Sequence, residues 1–218
     1  MSGRRRLELL ESSAVAACVV MGAPIVARLA GRPLDLPGVV AFVVVLVAGY
    51  AAADLVSGLA HWFCDQFLEE DTPLIGRAVI RPFREHHREP LAMTRHGFFE
   101  LTGNSCLGLA PVLGLAAGSR PGALVDAFVL AFAGGVAATN LLHKWAHATE
   151  APRVVRWLQR RRLVLAPSAH AAHHRRGHAG AYCVTTGWLN PLADRLRLFD
   201  RLAQVAAALG VPRTTAHD

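Results

Sequence analysis

The sequence predicts an all-α integral membrane protein, a four-helix bundle with a histidine-rich helical cap on its cytoplasmic side. Three observations predict this fold. The 218 residues are 53% hydrophobic, with apolar runs long enough to cross a hydrocarbon core of about 30 Å. The chain is nevertheless basic, with a net charge of +7. Ten of its 11 histidines fall between His61 and His178. An apolar yet basic chain indicates a membrane protein with a basic cytoplasmic face, and we expect no nucleic-acid partner.

The first two membrane helices are predicted at about 12–28 and 39–60. The first run resembles the apolar core of a signal peptide, but Pro24, Arg28 and the lack of a clear A-x-A cleavage site favour a retained anchor. The second run is interrupted only by Asp54 and is long enough to cross a bilayer.

The third and fourth membrane helices are predicted at about 103–118 and 122–142. The third run is short and contains Pro111, so it either spans the bilayer or only dips into it. The fourth run contains Gly134-Gly135 and Ala137-Ala138, small residues that allow close packing of helices.

Four membrane helices put the N-terminal head and the cap segments 61–102 and 143–200 on one side of the membrane. All 23 Lys and Arg residues lie on that side except Arg28, Arg32 and Arg120. The positive-inside rule therefore places the cap and both termini in the cytoplasm. We expect one domain, 1–218, in a bacterial inner membrane. Asp126 is expected near the opposite interface and solvated.

The histidines of the cap form four clusters. They are His61-Trp-Phe-Cys-Asp65, His86-His87 with His96 nine residues on, His143-Lys-Trp-Ala-His147, and His170-Ala-Ala-His173-His174 followed by His178. Residues at i, i+3 and i+4 share one face of a helix and can bind the same cation. A single such spacing is a weak signal, but four clusters at one side of a membrane indicate a metal site.

The number of imidazoles narrows the chemistry. A structural zinc takes four ligands and a catalytic zinc three plus water, so eight or more histidines fit two metal ions. A zinc protease needs H-E-x-x-H, but Lys144 occupies the glutamate position. Imidazole alone does not distinguish zinc, copper, iron and nickel. Two irons held mainly by neutral histidines would activate O2 to abstract hydrogen from an unactivated methylene, which no side chain can do.

Five strings carry a resemblance to a known family. They are Ser57-Gly-Leu-Ala-His61-Trp, Arg81-Pro-Phe-Arg-Glu-His-His87, Thr94-Arg-His96, Thr139-Asn-Leu-Leu-His143-Lys-Trp and Tyr182-Cys-Val-Thr-Thr-Gly-Trp-Leu-Asn190. Over about 53–190 the chain closely resembles the plasmanylethanolamine desaturases, the Kua or CarF-type lipid desaturase family. The resemblance implies an O2-dependent membrane enzyme with two iron ions that introduces the 1'-2' vinyl ether double bond into alkyl ether phospholipids. It also implies an external electron donor, cytochrome b5-like or ferredoxin-like.

The sequence departs from the family pattern at two places. Gly97 stands where animal-type sequences usually have Asp, and Leu101-Thr-Gly-Asn-Ser replaces a more polar string. Both departures concern the substrate end more than the metal site. The related plant plastid enzymes, which desaturate a palmitoyl chain next to its carbonyl, lack the Arg-Pro-Phe-Arg-Glu string and carry Arg in place of His96. The vinyl ether reading is therefore favoured.

The resemblance and the clusters together predict roles for individual residues. The expected iron ligands are His61, His86, His87, His143, His147, His170, His173 and His174. His178 and His96 either bind iron or orient a ligand, and Asp65 is expected to orient an imidazole through its other ring nitrogen. Asp54 is a buried ionisable group with a functional or a packing role. Asn140 is a possible weak ligand or water bridge.

Three basic residues are candidates for binding a lipid phosphate at the interface: Arg84, Arg88 and Lys144. The positive-inside rule alone would also explain them. Two other functions remain open, namely an acyl-lipid desaturase or hydroxylase, and a membrane metal-binding or transport protein. A transporter needs ionisable residues along the middle of its helices, whereas these histidines gather at one rim.

Overall fold

The computed structural model describes residues 3–33, 35–73, 75–175, 178–211 and 213–214, and over these residues the chain is helical with no β-strand. A π-helical turn (Gly76–Ile80) precedes α3, and a 3-10 turn (Ala92–Arg95) precedes α4. The helices are α1 Gly3–Leu29, α2 Leu36–Gln66, α3 Arg81–Arg88, α4 Phe98–Ser119, α5 Ala123–His147, α6 Arg153–Arg160, α7 Pro167–Arg175, α8 Asn190–Arg195 and α9 Leu198–Ala208.

The helices α1, α2, α4 and α5 are long and apolar enough to cross a membrane. The protein is therefore an integral membrane protein. The third apolar run, whose length left the sequence reading open, is a helix of 22 residues with Pro111 inside it. The helices also extend beyond the apolar runs, so that His61 and Asp65, assigned to the cap, belong to the last turns of α2.

The outward face of α2 carries aliphatic side chains that no other part of the described protein covers. Val40 and Val44 are more than half exposed, and Leu36 is 77% exposed. Such a run of exposed valine and leucine is unfavourable in water but matches the acyl chains of a bilayer. The burial pattern therefore agrees with the hydropathy of the sequence.

The chain divides into two compact units. The first unit comprises Met1–Asp54 and His96–Leu141, and the second comprises Leu55–Arg95 and Leu142–Asp218. The boundary between them falls inside α2 and α5. Within the first unit, α1, α4 and α5 share an apolar core formed by Ile25, Leu109, Leu113, Ala116 and Ala133.

Small residues let the helices of the first unit approach closely. A Cβ added at Gly135 of α5 would lie 2.6 Å from the Cβ of Ala53 and 2.9 Å from a ring carbon of Tyr50, both in α2. At the neighbouring Gly134, a Cβ would meet nothing within 4 Å. Of the two glycines that the sequence singled out for close packing, Gly135 is the one in contact.

A partly buried ion pair joins Arg28 of α1 to Asp126 of α5 inside the first unit. Arg28 donates two hydrogen bonds to the Asp126 carboxylate, at 2.9 and 2.7 Å, and donates to the carbonyls of Ala116 and Ala117 near the end of α4. Asp126 is only 2% exposed. The expectation of a solvated Asp126 was wrong, because Arg28 supplies a bidentate partner for the buried carboxylate.

The second unit has a small apolar core beside the histidine clusters. Trp62 in the last turns of α2 and Phe67 directly after this helix pack with Tyr182, Ala193, Phe199 and Ala203. This core fixes α8 and α9 against the segment that contains Tyr182. That segment in turn contacts the histidines described next.

Candidate metal centre

Four helical elements of the second unit bring nine of the predicted histidines together. The last turns of α2 supply His61, α3 supplies His86 and His87, the end of α5 supplies His143 and His147, and α7 with the following residues supplies His170, His173, His174 and His178. Two groups of four residues each place their ligand atoms within 4.8 Å of one another. Each group has the size of one metal coordination sphere.

The four-histidine group consists of His86, His147, His170 and His174. The Nε2 atom of His170 lies 2.8 Å from Nε2 of His147 and 3.0 Å from Nε2 of His174. Metal–imidazole bonds of about 2.0–2.1 Å put neighbouring ligand nitrogens about 3 Å apart. The separations in this group therefore match those of a metal site.

Hydrogen bonds alone do not satisfy this arrangement. Nε2 of His170 also lies 2.8 Å from Nε2 of His143, so three ring nitrogens surround a fourth. A neutral imidazole nitrogen either donates one hydrogen or accepts, and it cannot pair with three others in this way. In addition, Nε2 of His86 is buried without a hydrogen-bond partner among the described residues. A cation shared by these lone pairs would satisfy all of them.

The aspartate group consists of His61, Asp65, His87 and His173. The Oδ2 atom of Asp65 lies 3.4 Å from Nε2 of His61 and 3.7 Å from Nε2 of both His87 and His173. Neither carboxylate oxygen makes a hydrogen bond to a described residue, although Asp65 is completely buried. A buried carboxylate without a partner is very unfavourable unless it takes up a proton or a cation binds it.

The position of Asp65 favours a role as a direct ligand over the orienting role that the sequence favoured. A carboxylate that orients a ligating imidazole contacts the ring nitrogen that faces away from the metal. Asp65 instead faces the same Nε2 atoms that converge within the aspartate group. Its geometry is that of a direct ligand, which a spacing of four residues after His61 could not distinguish.

Backbone carbonyls take the orienting role in the aspartate group. Nδ1 of His61 lies 3.1 Å from the carbonyl oxygen of Tyr182, and Nδ1 of His173 lies 2.7 Å from that of Gly180. Because a carbonyl only accepts, Nδ1 of each ring donates and Nε2 keeps its lone pair. Both rings are thus fixed in the tautomer that binds a metal through Nε2.

The segment around Tyr182 is held by residues from the resemblance strings. The side-chain amide of Asn190 makes two hydrogen bonds to the backbone of Cys183. Its Oδ1 accepts from the N–H at 2.8 Å, and its Nδ2 donates to the carbonyl at 3.0 Å. The Ser57 hydroxyl accepts the N–H of Val184 at 3.0 Å. Gly58 makes room for this contact, since a Cβ there would lie 2.6 Å from Sγ of Cys183. The sequence predicted no role for Asn190, Ser57 or Gly58.

His143 and His178 lie beside the two groups. Nε2 of His143 is 2.8 Å from Nε2 of His170 and 3.2 Å from Nε2 of His147, so it faces the four-histidine group. His178 stacks on His87 with ring centroids 3.8 Å apart, and its Nε2 lies 3.4 Å from Nδ1 of His174. This contact is to the ring nitrogen of His174 that faces away from the four-histidine group, and it favours an orienting role for His178.

The imidazoles of the cap are held in their neutral form. Burial, reinforced by neighbouring histidines, lowers the pKa of His86, His87 and His170 well below the ordinary value. Burial lowers the pKa of His173 to about 3, although the hydrogen bond that its Nδ1 donates to the Gly180 carbonyl opposes this shift, and burial lowers the pKa of His174 to about 4. Since a metal binds only the unprotonated nitrogen, these rings are ready ligands at neutral pH.

Three other predicted residues belong to the first unit. Nδ1 of His96 pairs with Glu100 at 2.6 Å, and His96 is in neither group of candidate ligands. Asn140 donates to the carbonyl of Leu101 at 3.1 Å and so connects α5 to α4. Asp54 is completely buried in α2, one turn after Tyr50. The roles predicted for these residues stay predictions.

The three basic residues predicted to bind lipid phosphate are in different surroundings. Arg84 is buried, and its guanidinium donates to the carbonyls of Phe67 and Leu68 directly after α2. Arg84 therefore stabilises the end of α2 and does not lie at an exposed interface, contrary to expectation. Arg88 is exposed and pairs with Glu70 at 2.8 Å, while Lys144 is partly buried.

Comparison with known proteins agrees with the geometry. The lipid desaturase domain family matches residues 50–214. Plasmanylethanolamine desaturase of Myxococcus xanthus is 39% identical over 87% of this chain and 72% of its own length, and plasmanylethanolamine desaturase 1 of Mus musculus is 37% identical over 89% and 73%. The chloroplastic fatty acid desaturase 4 of Arabidopsis thaliana is 34% identical over 72% of this chain and 49% of its own length. No solved structure matches.

The matched region contains every residue of the two ligand groups. One group offers four imidazole nitrogens and the other offers three imidazole nitrogens and one carboxylate, and within each group these ligand atoms lie within 4.8 Å of one another. The match and the similarity to desaturases over most of the chain lead to one conclusion. The chain belongs to the lipid desaturase family and is an oxidoreductase.

Proposed function

We propose that this protein introduces the 1'-2' double bond into alkyl ether phospholipids and so forms the vinyl ether of plasmalogens, using O2 and two iron ions. The observation that carries the proposal is the pair of ligand groups, one of four histidines and one of three histidines with Asp65. Similarity to two plasmanylethanolamine desaturases over most of the chain supports the choice of lipid. We assign the activity to a single domain, 1–218.

In this proposal each group holds one iron ion. Imidazole and carboxylate together suit iron, and iron bound at such a site supplies the O2 chemistry that removes hydrogen from an unactivated carbon. The carbonyls of Gly180 and Tyr182 orient His173 and His61 for binding. His143 lies within reach of the four-histidine group as an additional ligand.

The interior position of the ligands also serves the reaction. His61, Asp65, His143 and His173 are completely buried. Burial keeps bulk water away from the oxidant and protects it from unproductive reduction. The exposed Arg88 and the partly buried Lys144 remain candidates to meet the lipid phosphate, because they lie near these ligands in sequence.

We further infer that the site and both termini are cytoplasmic, with the four long helices in a bacterial inner membrane. The distribution of Lys and Arg supports this orientation. A charge-based orientation is testable by cysteine labelling from either side of the membrane. We expect an added cysteine at position 213 to react only from the cytoplasmic side.

The function is tested by expressing the protein in a plasmalogen-deficient host that is supplied with alkyl ether lipid. We expect a lipid product lighter by two hydrogens, whose new double bond is cleaved by mild acid as a vinyl ether. The His173→Ala variant, at equal abundance in the membrane, should give none. A double bond that resists acid and lies in an acyl chain would overturn the proposal in favour of an acyl-lipid desaturase.

A further inference from the structure

A cavity of about 290 Å³ opens beside the aspartate group, within the second unit. Its walls include the aromatic residues Trp62, Tyr182 and Phe199 and the two arginines Arg197 and Arg213. None of these residues belongs to either ligand group. The cavity therefore requires an explanation separate from metal binding.

The cavity is separated from the aspartate group by a single layer of residues. Gly180 and Tyr182 line the cavity, and their carbonyls accept the Nδ1 hydrogens of His173 and His61. The Tyr182 ring lies 5.2 Å from the His173 ring and 5.8 Å from the His61 ring, centroid to centroid. A molecule in the cavity would thus be one side chain away from two candidate iron ligands.

The aromatic residues form a continuous series from the cavity to these ligands. The Phe199 ring lies 4.7 Å from the Tyr182 ring and 6.1 Å from the Trp62 ring. Tyr182 is 4% exposed and its hydroxyl accepts a hydrogen bond from Gln66 at 3.4 Å. The ring is therefore fixed in place between the cavity and His173.

The rim of the cavity is basic. Arg197 and Arg213 are exposed, and so are Arg195 and Arg201 in the adjoining helices α8 and α9. Two carboxylates are nearby, but Asp194 accepts the N–H of Ala181 at 3.1 Å and Asp200 pairs with Arg197 at 2.9 Å. The excess of arginine favours a partner with an acidic surface.

Arg213 is positioned by the neighbouring residue. Thr214 donates its N–H to the carbonyl of Gln66 at 2.9 Å and its hydroxyl to that of Leu68 at 2.8 Å. These two bonds fasten the C-terminal segment to the end of α2. The backbone of Arg213 is therefore held beside the cavity that this residue lines.

The chemistry of desaturation requires a reductant. Reduction of O2 to two water molecules takes four electrons and four protons, and removal of two hydrogens from the lipid supplies two of each. The other two electrons must come from outside the lipid, and their two protons come from solvent. A buried metal site needs a route by which a donor can deliver these electrons.

We propose that this cavity is the docking site of an acidic one-electron carrier protein and that the Tyr182 ring is the bridge from the carrier to the aspartate group. In each docking event the carrier is oxidised by one electron and one iron(III) at the aspartate group is reduced to iron(II). The arginines of the rim attract the carrier, and the cavity admits its redox-active edge. The proposal rests on the proposed iron chemistry, but it is independent of which lipid is the substrate.

The docking step is tested on the iron-loaded protein in detergent without O2, by titration with the oxidised soluble domain of cytochrome b5 and, separately, with an oxidised plant-type [2Fe–2S] ferredoxin. We expect at least one of these carriers to bind. In Arg213→Glu the Kd for that carrier should rise roughly tenfold, and the Kd should depend less on salt concentration than in the unmodified protein. Arg153→Glu makes the same charge change at an exposed residue outside the cavity lining and should leave the Kd unchanged.

The bridging step is tested by stopped-flow reduction of the iron-loaded protein without lipid or O2. At saturating carrier, Tyr182→Leu should slow reduction of the iron by about tenfold. Tyr182→Phe keeps the ring and should reduce the iron at the rate of the unmodified protein. Reduction by dithionite, which needs no docking site, should be similar in all three proteins at equal iron content.

Three results would overturn the proposal. The first is that Arg213→Glu and Arg153→Glu weaken carrier binding equally, and the second is that neither carrier binds. The third is that glycerophosphoethanolamine binds and that Arg213→Glu abolishes this binding while carrier binding persists. The last result would assign the cavity to a lipid headgroup. Because no lipid takes part in the carrier measurements, their failure is distinct from failure of the vinyl ether assay.

Discussion

The first unit has an apolar core, whereas the interior of the second unit also contains a cluster of polar ligand side chains. The core of the first unit is built from aliphatic and small side chains such as Ile25, Leu113 and Ala133. The interior of the second unit contains completely buried polar residues such as His61, Asp65 and His173. In the first unit, by contrast, the buried carboxylate of Asp126 has an ion-pair partner in Arg28.

The difference is the one expected if the second unit holds a cation. Buried ring nitrogens and carboxylate oxygens that lack partners destabilise a fold, and the second unit contains several of them. We expect the first unit to tolerate metal removal and the second to be loosened by it.

The largest effect is expected from His170→Ala. Nε2 of His170 lies within 3.0 Å of the Nε2 atoms of His143, His147 and His174, so its loss removes the centre of the four-histidine group. We expect desaturase activity to fall by more than about 100-fold, beyond what loss of an orienting bond costs. Iron analysis of the purified protein should show about half the iron of the unmodified protein.

His96→Ala is the matched control for this prediction. His96 pairs with Glu100 in the first unit and belongs to neither ligand group. The variant should retain its iron. Equal loss of iron from His170→Ala and His96→Ala would mean that the residues of the two groups are not the iron ligands.

A second large effect is expected from Asp65→Asn, which keeps the shape of the side chain but removes its negative charge. If Asp65 binds metal directly, iron should be lost from the aspartate group while the four-histidine group keeps its ion. Asp54→Asn is the control, since Asp54 is equally buried in the same helix but lies outside both groups. Full iron occupancy in Asp65→Asn would return Asp65 to the orienting role.

The sequence predicted much of this architecture because its signals are local. Four apolar runs predicted four long helices, and the spacing of His170, His173 and His174 predicted one helical face. The helix ends were harder to place. Residues His61 to Gln66 are less apolar than the run before them. Hydropathy therefore predicted that α2 ends at residue 60, whereas the helix continues to Gln66.

The remaining errors concern orientation, which a single sequence does not reveal. Arg84 was predicted to meet a lipid phosphate at the membrane interface, but it is buried and donates to the carbonyls of Phe67 and Leu68. The part played by Tyr182 and Gly180 was also missed. Their contribution is a backbone carbonyl, and a carbonyl is present at every residue.

A smaller effect is expected from Asn190→Ala. This change removes both hydrogen bonds from the side chain to the backbone of Cys183 and loosens the segment whose Tyr182 carbonyl orients His61. We expect the iron affinity of the aspartate group to fall by about 10–100-fold, with the four-histidine group unaffected. Titration with a competing chelator measures the two affinities separately. Equal weakening of both sites would contradict this assignment.

The smallest effect, confined to the first unit, is expected from Gly135→Ala. The new Cβ would lie 2.6 Å from the Cβ of Ala53, so α2 and α5 must shift apart at a cost of about 1–3 kcal/mol. Gly134→Ala is the control, because its Cβ meets nothing within 4 Å and alanine favours the helix. Thermal unfolding in detergent should therefore rank Gly135→Ala below the unmodified protein and Gly134→Ala level with it or above. Iron content should stay the same in both variants, since the ligands all belong to the second unit; a loss of iron in Gly135→Ala would show that packing in the first unit controls the metal site.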